Sequence, residues 1–293
     1  MGDVHTTLMA DLNELLRKWT TRYGVTPNLV QISGDSLTLQ GYVVTYSQLN
    51  EVRELAERHG QRTAVRALDD PTTPPPLGYF VPLQHPLCVW KTPDFAKMTT
   101  QVVSGDMPMR GLTTVEASNN ATLVQCDDLT LGWVPTDALT GSVETPTSPR
   151  HLQKDELIVS DPPTEELWNA VGPFMGIPYV LGGKSESGID CSGLISRVFR
   201  KTFGVVLPRH STDQMRCGVR VSMNDVRSGD LVFARLRQND IAHVALVLQP
   251  PGLGLKYVHA SQTRGKVVCE DAREFFQDYR FMAARRLWKP KNS

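Results

Sequence analysis

The apolar residues of the first 70 positions follow helical and strand patterns in the order α-β-β-α-β. Apolar residues at three- and four-residue spacing predict an amphipathic first helix that ends near Gly24. Its apolar stripe consists of Leu8, Leu12, Leu15, Leu16 and Trp19. Ser47 is the predicted N-cap of a second helix, which Gly60 closes. Alternating runs predict three strands, the first two joined by a turn at Gly34-Asp35. The strands are residues 28–33, 36–44 and 62–68.

This element order, together with Gly34 and the run Leu39-Gln-Gly-Tyr-Val43, resembles a BON-like module over residues 1–70. The resemblance implies an accessory domain. A small docking or packing domain without a ligand is the interpretation that we favour. Residues 71–78 are rich in proline, which predicts a stiff linker.

Short alternating runs separated by turn residues occupy residues 79–140 and show no helical period, which predicts a small all-β barrel. The predicted strands are residues 87–90, 99–103, 111–117, 122–126 and 131–134. The closing run Gly132-Trp-Val-Pro-Thr-Asp-Ala-Leu139 resembles a bacterial SH3 domain. Residues 141–163, which begin with many threonines, serines and prolines, are a second predicted linker.

From residue 164 onward a predicted helix over residues 165–175 is followed by a polar, glycine-rich loop that leads to Asp190 and Cys191. Apolar residues at helical spacing follow these two residues. Asp190 is a favourable N-cap, which puts Cys191 at the first position of the helix. There the unpaired backbone N–H groups and the helix dipole favour a thiolate over a thiol. The pattern therefore predicts a cysteine nucleophile that needs a base.

Two histidines downstream are candidates for that base. His243 lies in a predicted buried strand and His259 in the predicted return strand, with a proline- and glycine-rich turn between them. A hairpin centred at residue 251 or 252 puts both rings on one face, opposite each other or one diagonal step apart. A centre half a residue away would put them on opposite faces. A cysteine, a base and a polar group that orients the base form the generalised catalytic triad. The alternative for each ring is a core histidine whose hydrogen bonds serve only the fold.

Six short motifs follow one another in this part of the chain, within residues 166–288. They are Tyr179-Val-Leu-Gly-Gly183, Gly188-Ile-Asp-Cys-Ser-Gly193, Leu207-Pro-Arg-His-Ser211, Ser228-Gly-Asp-Leu-Val232, Ala242-His-Val-Ala245 and Val258-His-Ala260. In this order they resemble the NlpC/P60 family of papain-like cysteine peptidases. The resemblance implies an α+β catalytic domain over residues 164–293, with Cys191 as nucleophile, His243 as general base and His259 as the group that orients it. It also implies cleavage of γ-D-glutamyl–diamino acid amides in murein peptides, without a metal or other cofactor.

The same resemblance points to a set of substrate-binding residues, namely Tyr179, Asp190, Ser192, Arg209 and Ser211. The Arg209 guanidinium suits the free carboxylate of a D-glutamyl residue, and an ion pair within the domain is the alternative. Asp190 caps the helix, and its carboxylate is also a candidate to receive a substrate amine. Tyr179 has either a substrate or oxyanion role, or only a packing role.

Composition limits the partners of this chain. The formal net charge is zero, so neither a nucleic-acid partner nor an anionic membrane surface is predicted. The five cysteines have no CxxC spacing and no Cys/His metal signature, so no metal site is predicted. No apolar segment typical of a signal peptide stands near residue 1, which favours a cytoplasmic protein that recycles cell-wall peptides. Removal of a leader would leave the same residues and would indicate an exported protein instead.

Two other classes of function stay open. One is an amidase or acyltransferase of the same fold that acts on a non-wall protein or lipid amide. The other is a wall-binding protein whose catalytic domain is inactive. The pattern leaves open the oligomeric state, the substrate length, any need for a free N-terminal L-alanine, and the role of the first 70 residues.

Overall fold

The computed structural model describes most of the chain, and the residues that it describes form two compact units. The described residues are 2–23, 30–33, 38–43, 45–68, 70, 75–115, 120–141, 143–146, 150–152, 156–159, 164–250 and 252–289. Within these, the first unit comprises residues 1–99, 107–126 and 131–146, and the second comprises residues 100–106, 127–130 and 147–293. The predicted division into three domains with two linkers stays a prediction.

The residues that the structure describes form six α-helices, with the following bounds: α1 Gly2–Tyr23, α2 Tyr46–Arg58, α3 Thr164–Val171, α4 Cys191–Phe203, α5 Ser211–Gln214 and α6 Ala272–Asp278. The strands before residue 147 are β1 Val30–Ser33, β2 Thr38–Val43, β3 Thr63–Ala67, β4 Tyr79–Phe80, β5 Leu87–Trp90, β6 Met98–Val102, β7 Met109–Val115, β8 Ala121–Gln125 and β9 Leu131–Pro135. The strands after it are β10 Arg150–His151, β11 Ile158–Val159, β12 Lys184–Ser185, β13 Gly188–Ile189, β14 Val205–Val206, β15 Val219–Val221, β16 Leu231–Leu236, β17 Ala242–Leu248, β18 Lys256–Ser261, β19 Lys266–Asp271, β20 Tyr279–Arg286 and β21 Trp288–Lys289. None of the described helices is both long and apolar enough to span a membrane.

The first 70 residues have the predicted α-β-β-α-β order. Strand β2 pairs antiparallel with β1 and parallel with β3. The predicted turn at Gly34-Asp35 and the predicted helix end at Gly24 lie outside the described residues. The predicted N-cap Ser47 is wrong, because the Thr45 hydroxyl accepts a hydrogen bond from the Gln48 backbone N–H and the Gln48 side chain accepts one from Thr45. This reciprocal capping box starts the helix two residues earlier.

The predicted barrel strands are also present, each within two residues of the predicted bounds. Strands β4, β7, β8, β9 and β5 lie side by side in this order, and each pair is antiparallel. Packing explains why residue 132 is glycine, because a Cβ there would lie 2.8 Å from the Trp90 carbonyl oxygen on the neighbouring strand. The likenesses to SH3 and BON domains stay predictions.

The second unit is built on a six-stranded antiparallel sheet with the order β15-β20-β16-β17-β18-β19. One face packs against α3 and α4, where Val244 and Val258 contact the buried side of the helices. The other face packs against α6, where Tyr257 stacks on Phe275 with ring centroids 4.9 Å apart. This arrangement confirms the mixed helix and strand content that the sequence predicts for this part of the chain.

The helix that carries the candidate nucleophile begins and ends at residues suited to those positions. The Asp190 side chain caps its start, and Gly204 follows its last turn with a φ of 64°, a conformation that glycine adopts without strain. The preceding helix, predicted over residues 165–175, ends at Val171 and continues as a 3₁₀ turn. Pro173 explains this early end, because proline lacks the N–H that an α-helix requires.

Candidate active site

The two candidate histidines lie on the same face of the hairpin formed by β17 and β18. Leu246 pairs with Val258, which centres the hairpin at residue 252. Because side chains alternate along a strand, His243 and His259 face the same side one diagonal step apart. Nε2 of His243 lies 2.9 Å from Nδ1 of His259, and both side chains are buried. The predicted pairing of the two rings is confirmed.

Cys191 is the first residue of α4, as predicted, and it is buried. Burial raises the pKa of its thiol to about 12, and the Asp190 carboxylate acts in the same direction. The backbone N–H of Val244, the residue after His243, opposes this shift. The thiol is therefore protonated at neutral pH. The start of the helix lowers this pKa through the Ser192 backbone N–H, in the direction that the sequence predicts, but the loss of water around the sulfur outweighs it.

His243 is a neutral imidazole at neutral pH. Burial lowers the pKa of its ring well below 6.5, and His259 lowers this pKa further. Tyr279 stacks on the ring, with centroids 4.3 Å apart and an interplanar angle of 17°. Because Nε2 is engaged by His259, Nδ1 is the ring nitrogen left to accept another proton. A neutral imidazole and a protonated thiol have the acid–base states that general-base activation requires, and Val244, the residue after His243, contacts Cys191 through its backbone.

A buried ion pair between Arg209 and Asp190 lies at the start of α4. Nη1 and Nη2 of Arg209 donate to Oδ1 and Oδ2 of Asp190 at 2.9 and 2.7 Å. The other donors of the guanidinium reach oxygens of Thr100, Ser192 and Gly183. All five N–H groups of Arg209 therefore have acceptors, and none remains for a substrate carboxylate. The ion pair that the sequence left as the alternative is the one that the structure contains.

Asp190 caps α4 as predicted, and its carboxylate is fully engaged. Oδ1 accepts the Gly193 N–H at 2.7 Å and Oδ2 accepts the Gly182 N–H at 2.7 Å. Together with Arg209 and Ser192, these donors occupy both oxygens of a side chain that is only 4% exposed. The role of receiving a substrate amine is therefore not supported, because no lone pair of the carboxylate faces an open space.

The remaining predicted substrate-binding residues lie at different distances from the nucleophile. Burial raises the pKa of the half-buried Tyr179 hydroxyl, and the negative forms of Cys191 and Asp190 act in the same direction, which places this hydroxyl near both. Ser192 follows Cys191, and its hydroxyl accepts from Arg209 at 2.9 Å. Ser211 is buried at the first position of α5. Substrate contacts of Tyr179, Ser192 and Ser211 stay predictions.

Comparison with known proteins shows the family to which this part of the chain is similar. The model of the NlpC/P60 family matches residues 176–286. Over 151 residues the chain is 32% identical to the murein DD-endopeptidase MepS/murein LD-carboxypeptidase of Escherichia coli strain K12, and the match covers 50% of this chain and 77% of that protein. The chain belongs to the NlpC/P60 family.

A second curated relative and a solved structure extend the comparison. The γ-D-glutamyl-L-lysine dipeptidyl-peptidase of Bacillus subtilis strain 168 is 33% identical over 117 residues, which cover 39% of this chain and 38% of that protein. The crystal structure of an NlpC/P60 family protein from Bacillus cereus shares 20% identity, with a TM-score of 0.38. The alignment with it covers 72% of this chain and 63% of that chain.

All of the predicted site residues fall inside the range that the NlpC/P60 model matches. The close approach of the glycine-rich loop to α4 has a clear physical basis within this range. A Cβ at position 193 would lie 2.3 Å from the Gly183 carbonyl oxygen, so only glycine fits. Gly193 therefore lets the loop pack directly on the first turn of the helix that holds Cys191.

One buried residue of the site was missed by the sequence analysis. Oε2 of Glu270 on β19 lies 3.1 Å from Nε2 of His259, and Oε1 accepts from Nε of Arg264 at 2.8 Å. The register of the β18–β19 hairpin pairs His259 with Val268, so Glu270 is two residues further along on the same face. Glu270 could have been found from the sequence, because side-chain alternation after the turn at Gly265 puts it on the same face as His259.

Metal binding receives no support from the arrangement of side chains. Among the residues that the structure describes, no three histidine, cysteine, aspartate or glutamate side chains are grouped so as to hold a metal ion. The groups around Cys191 are suited instead to proton transfer between sulfur and imidazole.

Proposed function

We propose that this protein is a cysteine endopeptidase that hydrolyses the γ-D-glutamyl–diamino acid amide bond of murein peptides. The observation that carries the proposal is the placement of Cys191 at the N-terminus of α4, against the strand that bears the buried His243–His259 pair. Membership of the NlpC/P60 family and the murein and γ-D-glutamyl substrates in the names of two relatives support the substrate class.

Catalysis begins with the transfer of a proton. The Cys191 thiol gives its proton to Nδ1 of neutral His243 as the sulfur attacks the amide carbonyl carbon. The backbone N–H of Cys191, one of the groups that an α-helix leaves without an intrahelical acceptor, is suited to hold the oxyanion. This step forms a C–S bond and leaves an imidazolium beside the tetrahedral intermediate.

The second half of the reaction returns the enzyme to its resting state. The His243 imidazolium protonates the amine of the diamino acid as the C–N bond breaks, which leaves a thioester on Cys191. Neutral His243 then takes a proton from water as the water oxygen attacks the thioester. The C–S bond breaks, the γ-carboxylate leaves, and the sulfur regains its proton. His259 holds the ring of His243 in position throughout.

A second candidate bond is the D,D-amide cross-link between two murein peptides. The observation that favours it is the name of the E. coli relative, a DD-endopeptidase and LD-carboxypeptidase. Both reactions use the same thiol and imidazole, so the two candidates differ only in the peptide that the cleft accepts.

The test uses three substrates with the 293-residue chain and its Cys191→Ala variant. They are L-Ala-γ-D-Glu-meso-diaminopimelate, the same peptide with an acetylated amine, and a D,D-cross-linked dimer of murein peptides. We expect cleavage of the first peptide at the γ-D-glutamyl bond and a loss of roughly 10⁴-fold or more in the variant. Cleavage of the dimer alone would move the assignment to the cross-link.

The acetylated peptide distinguishes recycling from wall remodelling. Cleavage of only the free-amine peptide would support recycling of released peptides, and cleavage of both would support remodelling of the wall. The predicted cytoplasmic location depends on the same distinction. If none of the peptides is cleaved while iodoacetamide still modifies Cys191, the murein assignment fails and a non-wall amide becomes the candidate substrate.

A further inference from the structure

Glu270 ends a continuous chain of hydrogen bonds that starts at His243. Nε2 of His243 lies 2.9 Å from Nδ1 of His259, and Nε2 of His259 lies 3.1 Å from Oε2 of Glu270. The other carboxylate oxygen accepts from Nε of Arg264 at 2.8 Å. His259 has no exposed surface and Glu270 is 7% exposed, so water does not compete for the contact between these two side chains, whereas Arg264 is exposed.

When Glu270 is ionised and both rings are neutral, the protons in this chain of hydrogen bonds can be arranged in only one way. A carboxylate has no proton to donate, so Nε2 of His259 must be the donor. Neutral His259 then has an unprotonated Nδ1, which accepts the proton on Nε2 of His243. This leaves Nδ1 of His243 unprotonated and able to accept the thiol proton of Cys191.

We infer that Glu270 is a positioning residue that sets the tautomer of His259 and, through it, the tautomer of His243, so that Nδ1 of His243 is the basic nitrogen. The inference rests on the proposed function for its effect on turnover, although the tautomers themselves exist without substrate. Glu270 touches neither the nucleophile nor any reacting atom in this scheme. It acts through the ring of His259.

The surroundings of these three side chains keep Glu270 ionised and both histidine rings neutral. The hydrogen bond with His259 lowers the pKa of Glu270, and the contact with Arg264 acts in the same direction. Burial lowers the pKa of His259, which outweighs the opposite effect of Glu270, while Asp278 raises it slightly and Arg264 lowers it. Tyr279 stacks on the ring of His243, and the rings of Phe275 and Tyr279 contact the ring of His259 in T-shaped arrangements. A neutral imidazole pair beside an ionised carboxylate is therefore the resting state.

The same arrangement assists the step that forms the imidazolium. When Nδ1 of His243 takes the thiol proton, the ring becomes positive in a buried site, where an unpaired charge is costly. Nδ1 of His259 accepts a charge-assisted hydrogen bond from it, and the Glu270 carboxylate polarises His259 from the far side. The arrangement resembles in its logic the buried aspartate that orients the histidine in serine proteases.

The decisive variant is Glu270→Gln, because Arg264 controls how the new amide is oriented. The positive guanidinium of Arg264 attracts the amide oxygen and disfavours the amide NH₂, so the oxygen should turn toward Arg264 and the NH₂ toward Nε2 of His259. His259 must then accept at Nε2 and carry its proton on Nδ1, which forces the proton of His243 onto its own Nδ1. The unprotonated nitrogen of His243 would then be Nε2, which is bonded to His259 and cannot take the thiol proton.

The tautomers are measured by ¹⁵N-histidine NMR of the 293-residue chain, which needs no substrate. In the wild type we expect both rings protonated on Nε2, and in Glu270→Gln both protonated on Nδ1. We expect kcat for the cleaved peptide to fall about 10- to 100-fold with little change in KM. Glu166→Gln, which removes an exposed carboxylate from α3, is the matched control and should leave tautomers and kcat unchanged.

A double variant tests whether the tautomers and kcat can be restored. In Arg264→Met with Glu270→Gln, the amide oxygen is released from the guanidinium and is free to accept from Nε2 of His259. We expect the Nε2-protonated tautomers and most of kcat to return, whereas damage to the fold would not be repaired by a second substitution. Wild-type tautomers retained in Glu270→Gln, or no recovery in the double variant, would overturn the inference. Absence of murein cleavage by the wild type would overturn only the proposed function, since the NMR result stands without a substrate.

Discussion

Two buried polar clusters of the second unit differ in how their hydrogen-bonding groups are used. In the cluster at the start of α4, Arg209 has an acceptor for each of its N–H groups, and Asp190 has a donor at every available position. In the cluster on the β-hairpin, His243, His259 and Glu270 bond in a chain that leaves one ring nitrogen of His243 unused. The first cluster can only hold structure, while the second retains a group able to react.

This difference shows that burial alone does not identify a functional residue. Arg209 and His243 are similarly buried, and a family resemblance can suggest a role at the site for either. Counting donors and acceptors separates them, because a group whose hydrogen-bonding capacity is used up cannot also bind or transfer a proton to a substrate.

The largest effect expected from this comparison is on catalysis. His243→Asn keeps a polar group of smaller size at the hairpin and removes the base, so hydrolysis of the cleaved peptide should fall by roughly 10⁴-fold. Far-UV circular dichroism and the urea midpoint should show that the fold is retained. Activity within tenfold of wild type would mean that the thiol is activated by another group.

The next effect is on stability. Arg209→Met leaves the Asp190 carboxylate buried without its cation, so the free energy of unfolding should fall by about 3–5 kcal/mol in urea titrations. Arg216→Met, at an exposed ion pair with Asp213, is the matched control and should change it by less than about 1 kcal/mol.

The double variant Asp190→Asn with Arg209→Met sharpens this test, because asparagine still caps α4 and no buried charge remains. It should lose less stability than the sum of the two single variants. If the double variant lost as much free energy of unfolding as the two single variants together, the two side chains would not stabilise each other.

The smallest effect is a dependence of stability on pH. The pKa of His243 is lower in the folded protein than its ordinary value of 6.5, so the unfolded chain binds the extra proton first as the pH falls. The stability that the neutral ring contributes is therefore present above pH 6.5 and is lost below it, by up to about 1.4 kcal/mol per pH unit. His259 acts with the same sign.

Urea titrations at pH 7.0 and 5.5 measure this loss. His243→Asn should lose less stability than the wild type between the two values, and the exposed His210→Asn should behave like the wild type. An equal loss in both His243→Asn and the wild type would show that other groups control the acid side of the stability curve.

Much of the fold and of the site follows from local patterns. Asp190 before an apolar helical repeat was sufficient to place Cys191 at the first helical position, because capping involves only residues within one turn. Alternation about the turn near residue 252 was sufficient to pair His243 with His259. The strands of the barrel were found within two residues for the same reason. Thr45 and Ser47 are both suitable N-caps for α2. The reciprocal hydrogen bonds between Thr45 and Gln48 make Thr45 the N-cap, whereas the sequence pattern alone predicted Ser47.

By itself, the sequence determined which residues are the candidates for the chemistry, since Cys191, His243 and His259 stand in motifs whose spacing depends on short-range geometry. Only the tertiary structure decided the protonation of these residues and the partners of the others. The thiol of Cys191 is protonated because the surrounding chain excludes water from it, and Arg209 is committed to Asp190 because the loop and the helix meet there. Glu270 joins the site through the register of a third strand. Burial and register are set by contacts between residues far apart in the chain, which a pattern of neighbouring residues does not contain.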